Sequence, residues 1–233
     1  MPFGTLNSLN SKRNIGGSAL YQSTFAVNTV LRKTYFLLSL TLFFSAIMAF
    51  FSMTTAAAPL PALIQIVGMF GLLILTLVLR NSPWGLVSIF AFTGFTGYTL
   101  GPMLNMYISE FTNGSQLVLT SLGATAVVFL GLSGYVLASK KDFSYLGGFL
   151  FIVLLAGVML SLTSMFFHLP MLQLGMSALF VVLFSAYILF DTSRILHGGE
   201  SNYISATVSL YLDILNLFIA LLQILSYFAG NRR

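Results

Sequence analysis

Long apolar runs separated by short polar segments dominate the pattern of this chain. Seven runs reach about 20 residues, the length that an α-helix needs to cross the hydrocarbon core of a bilayer. They are continuous and rich in Leu, Phe and Met, without the alternation of polar and apolar residues that a membrane β-strand shows. The pattern therefore predicts an all-α protein with seven transmembrane helices. The predicted spans are 34–54, 61–80, 84–105, 116–138, 145–167, 171–193 and 204–228.

The composition places these helices in a bilayer. The chain has 233 residues, of which 58% are apolar and only 6% are charged, whereas a soluble domain carries about 25% charged residues. It has no Cys and two His, too few ligands for a zinc site or for thiol chemistry. We therefore expect an integral membrane protein that is not an enzyme and binds no cofactor and no nucleic acid. The oligomeric state is left open.

The polar N-terminal segment stands apart from the apolar runs. It is rich in Ser and Asn and lacks the apolar core of about 7–15 residues that marks a secretory signal peptide. We expect residues 1–31 to form a disordered polar tail on the cytoplasmic side, and residues 32–233 to form the seven-helix transmembrane domain.

The Lys and Arg residues predict the orientation. The side of the membrane that holds the N-terminus, called side A, receives eight of the ten basic residues, and side B receives only Arg232 and Arg233. This bias puts side A in the cytoplasm. A re-entrant last run would place all ten on side A, but 204–228 has the length to cross and is predicted to do so. The side A residues are Lys12, Arg13, Arg32, Lys33, Arg80, Lys140, Lys141 and Arg194.

Small residues recur at helical spacing in the third, fourth and fifth runs. Lipid does not drive helices together, so close backbone contact between small residues has to do so. We therefore predict three packing faces. They consist of Gly94, Gly97, Gly101 and Asn105; of Gly123, Gly131 and Gly134; and of Gly147, Gly148 and Gly157.

Two of the five acidic residues, Asp191 and Asp213, lie inside apolar runs. A charged Asp at the bilayer centre costs about 2.5–3.5 kcal/mol on insertion scales, so such residues usually serve a function. Asp191 lies near the side A end of the sixth run. Asp213 lies about nine residues into the seventh, or roughly 13 Å from side A. Two neighbouring antiparallel helices can bring these carboxyl groups face to face.

The seventh run also carries a continuous stripe of polar or small residues. A helix places residues at spacings of three and four on one face, and a face of this kind points to the bundle centre or to a wet cavity. The stripe predicts a central C-terminal helix. It favours an ion or proton path over a purely structural seam, because an acid lies at its middle. Its members are Asn202, Ala206, Ser209, Asp213, Asn216, Ala220 and Gln223.

A pair formed by Asp191 and Asp213 would titrate as a unit and share a proton. When fully ionised, the pair would attract a cation. Calcium prefers six to eight oxygen ligands, so two carboxylates with Asn216 and water predict a weak, transient calcium site suited to passage. Ser209 lies one turn before Asp213 on the same predicted path.

Two Arg residues are candidates for a latch, meaning a cation that pairs with the acids and holds the path shut. Arg80 ends the second run on side A, and Arg194 follows Asp191 by three residues. The alternative role for both is simple anchoring at the membrane interface.

Long segments of the chain resemble the Bax inhibitor-1 family of seven-helix membrane proteins. The closing signature of that family is similar to SAYILFD at 185–191 and to SLYLDILNLFI at 209–219. Further segments resemble its bacterial branch, which includes a modulator of the membrane-anchored FtsH protease, and the likeness runs from about residue 28 to 228. These segments are 34–41, 90–94, 97–105, 141–148 and 197–204.

The resemblance implies a pH-sensitive calcium leak in which acids on the sixth and seventh helices form the gate. Asp191 and Asp213 occupy the acid positions, and Arg80 on the second helix occupies the latch position. The resemblance also implies a bundle with a central seventh helix. The second function that it implies is a membrane modulator that binds an FtsH-like protease and transports nothing, with the tail as the segment that the partner grips.

Two classes of intramembrane protease match only in part. An aspartyl protease also places one Asp on each of two helices, but Asp213 lacks the Gly-x-Gly step that should precede it. A serine protease is suggested by Gly131–Gly134, which contains Ser133, yet neither His168 nor His197 is predicted inside a later helix to act as its base. We therefore predict a bacterial inner-membrane protein with calcium as its permeant ion or a protease as its partner.

Overall fold

The computed structural model describes residues 4–167 and 170–230, with side chains described for residues 27–163 and 171–230. The described residues form seven α-helices and one short 3-10 turn, Ser144–Leu146, so the predicted all-α fold is confirmed. The backbone is helical from Gly4 on, whereas the sequence predicts a disordered tail over residues 1–31. The side chains of residues 1–26 lie outside the described ones, and the role of this segment stays a prediction. The helices are α1 (Gly4–Thr54), α2 (Ala62–Leu79), α3 (Trp84–Glu110), α4 (Gly114–Ser139), α5 (Gly147–Phe167), α6 (Pro170–Leu196) and α7 (Tyr203–Gly230).

Six of these helices are long and apolar enough to cross a membrane. In α1 the candidate span covers Val27–Thr54 of the described residues. The one described helix not among these six is α3. It has 27 residues, which is long enough to cross, but many of its positions are Gly, Thr or Tyr. A less apolar helix suits this place because α3 packs against α1, α2, α4 and α7, which shield it from lipid.

Helix α7 is the central helix of the bundle, as predicted. It contacts α1, α2, α3, α4 and α6, and half of its most apolar stretch is buried. The Tyr211 side chain on α7 is fully buried, and its hydroxyl lies 2.8 Å from Ser45 Oγ on α1 and 2.7 Å from Thr96 Oγ1 on α3. These bonds satisfy the hydroxyl in an apolar interior, where an unpaired polar group would be costly.

The predicted packing face of α3 contacts α1. A Cβ atom on Gly97 would collide with the backbone carbonyl of Ser45, and one on Gly101 would lie 2.5 Å from Ser52 Oγ. Asn105 completes the face, because its Nδ2 donates to the Met53 carbonyl oxygen at 3.1 Å. The small residues therefore let the two helix backbones approach closely.

The predicted packing face of α4 is wrong. Gly123, Gly131 and Gly134 have no neighbour within 4 Å of the position that a Cβ atom would take, and they face outward. The buried face of α4 instead holds hydroxyl and bulky side chains at spacings of three and four. The buried residues of α4 include Ser121, Thr125, Phe129, Ser133 and Val136.

The predicted packing face of α5 is correct in part. Gly147 and Gly157 pack against Phe190 and Phe180 of α6, whereas Gly148 faces outward.

Contacts between helix ends gather the described side A residues at one end of the bundle. The Lys33 ammonium lies over the ring of Tyr203, which opens α7, at 5.5 Å from its centroid. Asn202 Nδ2 donates to the Arg80 carbonyl oxygen at 3.1 Å. His197, just after α6, contacts the Lys140 carbonyl oxygen at 3.2 Å. This end is called the side A end below.

Candidate functional site

A short turn joins α6 to α7 and sets the two helices side by side. Gly198 has φ of +77°, a backbone conformation that Gly adopts without strain, and the amide of Gly199 donates to the Arg194 carbonyl oxygen at 2.8 Å. Asn202 then caps α7, because its Oδ1 accepts hydrogen bonds from the amides of Ile204 and Ser205. The turn thereby places the end of α6 against the start of α7.

Asp191 on α6 and Asp213 on α7 come together in this arrangement. Their residues are only 7% and 5% exposed, and both side chains line the same cavity. A carboxylate oxygen can only accept a hydrogen bond, so two carboxyl groups that bond to one another need a proton between them. Two buried carboxyl groups in one cavity therefore favour a pair that holds one proton, because two buried negative charges repel one another.

A cavity of about 970 Å³ contains the acid pair. Residues of α2, α5, α6 and α7 line it, and the predicted stripe of α7 forms part of its floor from Ser209 through Asp213 and Asn216 to Gln223. Gln223 lies at the far end, where its Oε1 accepts a hydrogen bond from Ser177 Oγ at 2.8 Å. The two ends of the floor lie about 20 Å apart along α7. The polar floor therefore covers much of the depth of the bundle.

The remaining members of the stripe have other roles. Ala206 is buried, and Asn202 caps the helix, so neither lines the cavity. Asn216 Nδ2 donates to the Leu212 carbonyl oxygen at 2.7 Å, which leaves its Oδ1 as an acceptor. In the part of the chain that the structure describes, no cluster of three or more His, Cys, Asp or Glu could hold a metal ion. The weak calcium site at Asp191 and Asp213 stays a prediction.

Arg194 is the cation that contacts the pair. Its guanidinium lies 3.5 Å from Asp191 Oδ1 and 3.6 Å from Glu200 Oε2, so it bridges the cavity acid and an acid of the α6–α7 turn. Arg80 instead donates to Ser205 Oγ at 3.0 Å. The latch roles of Arg80 and Arg194 remain predictions. The sequence did not identify Glu200 as part of this site. Its only signal was its place six residues after Arg194, and the turn at Gly198 that returns Glu200 to the Arg194 side chain could not be predicted.

Hydroxyl groups of α1, α4 and α6 form a short chain of contacts. Ser133 Oγ on α4 contacts Thr192 Oγ1 on α6 at 3.1 Å and also the Tyr35 hydroxyl on α1. Neither of these partners is a base that could activate the Ser133 hydroxyl for nucleophilic attack. His168 lies outside the described residues. The contacts of Ser133 thus connect three helices.

A second polar cluster ties the α4–α5 loop to the end of α6. Asp142 Oδ1 accepts hydrogen bonds from the Ser144 amide at 2.8 Å and from Ser193 Oγ at 3.2 Å. The bond from the Ser144 amide is the main cause that lowers the pKa of Asp142 below its usual value. His197 Nδ1 contacts the Ser193 carbonyl oxygen at 2.9 Å, and Nε2 contacts the Lys140 carbonyl oxygen. The cluster therefore ties the α4–α5 loop to the end of α6 through Asp142, Ser193 and His197.

This cluster predicts a loop that loosens as the pH falls. Because its pKa is lowered, Asp142 contributes stability that is present at neutral pH and is lost as the pH falls through its folded pKa. We expect amide hydrogen exchange at Phe143 and Ser144, corrected for intrinsic rates, to be about two- to fivefold faster at about pH 2 than at about pH 6.

The control for this measurement is Asp142→Asn, which removes the charge and keeps the shape of the side chain. Loop exchange in this variant should lose its pH dependence. A pH dependence that survives in Asp142→Asn would contradict the role of this carboxylate.

The fold and the site together define a polytopic α-helical membrane protein with an acid pair between its last two helices. Comparison with known proteins identifies the family to which the chain belongs. The family described as "Inhibitor of apoptosis-promoting Bax1" matches residues 27–230. The chain therefore belongs to this Bax inhibitor family, and the resemblance seen in its sequence is confirmed.

Bacterial relatives match this chain over nearly their whole length. "Modulator of FtsH protease YccA" of Escherichia coli K12 is 50% identical over 210 residues, which cover 88% of this chain and 93% of the relative. A protein of a second Escherichia coli strain, named "Inner membrane protein YccA", matches with the same values. An "Uncharacterized membrane protein" of Vibrio cholerae is 46% identical over 211 residues, or 90% of this chain and 94% of the relative.

Proposed function

We propose that this protein is a membrane modulator of an FtsH-like, membrane-anchored protease. The observation that carries the proposal is its 50% identity, over 88% of its length, to a protein named as a modulator of that protease. A modulator acts by binding and needs no catalytic residues of its own. We further propose that it resides in the bacterial inner membrane, in line with the name of a second relative, and that the excess of basic residues keeps its N-terminus in the cytoplasm.

The N-terminal segment is the proposed contact for the protease. It carries Lys12 and Arg13 and no acidic residue, so it offers positive charge that long-range electrostatics can use during association. The loops between the described helices are short, and the N-terminal segment is the longest polar segment of the sequence.

Deletion of residues 1–25 tests this proposal. We expect the deletion to abolish co-purification with FtsH from detergent-solubilised membranes. The thermal unfolding temperature should remain unchanged, since the deletion leaves the candidate span Val27–Thr54 of α1 intact. The matched control replaces only the charges, as Lys12→Gln with Arg13→Gln, and should weaken the association without abolishing it. Full association after the deletion would contradict a tail contact.

We propose as a second candidate that the protein forms a pH-sensitive calcium leak. The observation that favours it is the buried pair of Asp191 and Asp213 beside Arg194, in a cavity whose polar floor covers much of the bundle depth. In this candidate the shared proton and Arg194 keep the pair closed to cations. Loss of the proton leaves two carboxylates that attract calcium, with Asn216 and Ser209 as further oxygen ligands along the path.

A further inference from the structure

The cavity that holds the acid pair opens sideways toward the bilayer. Its walls come from α2 and α5, and in the described part of the chain these two helices make no contact with one another. The residues at the two rims are apolar and exposed: Phe70 on α2 is 54% exposed, and Val158 and Leu162 on α5 are 44% and 51% exposed. A hydrophobic molecule dissolved in the membrane can therefore reach the cavity between α2 and α5.

Aromatic side chains of α6 form a ladder inside the cavity. The rings of Phe180 and Phe184 have centroids 5.9 Å apart, and those of Phe184 and Tyr187 have centroids 6.1 Å apart. All three side chains line the cavity, and the ladder leads along α6 toward Asp191. Aromatic faces attract organic cations, most strongly where water is excluded.

The cavity lining carries negative charge without a positively charged side chain in the lining itself. Asp191 and Asp213 line it, and no Lys or Arg is among the lining residues. Arg194 approaches from the side A end and reaches Asp191. Oδ2 of Asp213 is buried and has no hydrogen-bond donor among the described residues. A buried carboxylate in this position attracts a cationic ligand by its charge.

We infer that this cavity binds lipophilic organic cations, which enter from the bilayer between α2 and α5 and place their charge between Asp213 and the aromatic ladder. Each part of the site matches one property of such a ligand. The apolar rims accept its hydrocarbon surface, the rings of Phe184 and Tyr187 stabilise its charge, and Asp213 neutralises it. A small hydrated ion would leave the apolar walls unused. This inference goes beyond the proposed functions, since neither of them requires an organic ligand.

Binding of the cation should release the proton held by the acid pair. The proton leaves one carboxyl group as the organic cation takes its place, so the charge of the site is conserved. The ionisable groups around the site are Asp191, Asp213 and Tyr187 in the lining and Arg194 and Glu200 at the side A end, while α2 and α5 add none to the lining. The affinity for the cation should therefore rise with pH.

Tetraphenylphosphonium and tetraphenylborate provide a probe and a matched control, because they have nearly the same size and shape and opposite charge. We expect the purified full-length protein in lipid nanodiscs to bind tetraphenylphosphonium, measured by equilibrium dialysis above the background of empty nanodiscs, and to bind it more tightly at pH 8 than at pH 6. Tetraphenylborate should show no binding above background. Equal binding of the two ions, or binding of neither, would overturn the proposal.

Three variants locate the site. Asp213→Asn should weaken binding of tetraphenylphosphonium by at least about tenfold, and Phe184→Leu by about three- to tenfold. Asp142→Asn removes an acid outside the membrane spans and should leave the affinity unchanged. Phe184→Leu keeps both acids, so it tests the site even where Asp213→Asn fails to fold. Unchanged affinity in Phe184→Leu together with Asp213→Asn, or an equal loss in Asp142→Asn, would contradict the assignment.

Discussion

Gly97→Ala is expected to destabilise the folded protein by about 1–3 kcal/mol, the usual cost of overpacking a close contact. A Cβ atom at this position would lie 2.9 Å from the carbonyl carbon of Ser45 and closer still to its oxygen. Both atoms belong to the backbone of α1, so no side-chain rotation relieves the collision. Helices α1 and α3 would have to separate, and the hydrogen bond from Asn105 to Met53 would weaken with them.

Gly131→Ala is the matched control in the same bilayer. This glycine lies inside α4, and no atom lies within 4 Å of the position that its Cβ would take. Ala favours a helix by up to about 1 kcal/mol over Gly, so we expect unchanged or slightly greater stability. Thermal or denaturant unfolding of both variants in one detergent measures the difference. Equal stability of the two variants would show that the close contact between α1 and α3 is not needed.

These two glycines also show how far the sequence could predict the fold. Spacing at three and four residues identified both Gly97 and Gly131 as members of a helix face, and that much is correct. Spacing does not reveal which face meets a neighbour, because the rotation of each helix depends on all the helices around it. In α4 the hydroxyl groups of Ser121, Thr125 and Ser133 face inward, and that rotation turns the glycines toward the lipid.

The acid pair was easier to predict than its surroundings. An Asp inside an apolar run is costly unless it is shielded, so Asp191 and Asp213 could be found from hydropathy alone, and helix spacing gave the stripe around Asp213. Glu200 could not be found in this way, because its contact with Arg194 depends on the left-handed turn at Gly198. The lateral opening depends on the separation of α2 from α5, which no local pattern encodes.

The positions of the two Arg residues separate two roles that the sequence left open. Arg194 contacts Asp191 and Glu200, whereas Arg80 is bonded to the start of α7 through Ser205 and Asn202. Arg194 thus contacts the acid pair through Asp191, and Arg80 ties the α2–α3 turn to the start of α7. A calcium leak that depends on the acid pair should therefore respond to the two Arg residues differently.

Arg194→Gln is expected to raise calcium flux into proteoliposomes about fivefold at neutral pH, and Arg80→Gln should change it less than about twofold. A fivefold change in flux corresponds to roughly 1 kcal/mol. This is the upper end of the energy expected for a solvent-exposed ion pair, because the Arg194 side chain is 34% exposed and so partly screened by solvent. Gln keeps a polar side chain with N–H donors but is shorter than Arg and carries no charge, and because the same replacement is made at both positions, their difference reports on the ion pair.

The acid variants in the same assay decide whether the pair governs the flux at all. Asp191→Asn and Asp213→Asn each leave one ionisable carboxyl group, which can no longer share a proton with a second one. Both variants should therefore alter the flux and shift the midpoint of its pH dependence. Unchanged flux in both variants would contradict a gating role for the acid pair and would leave the protease modulator as the proposed function. A rise in Arg80→Gln alone would place the latch on α2, which would require Arg80 to leave Ser205 and reach the acids.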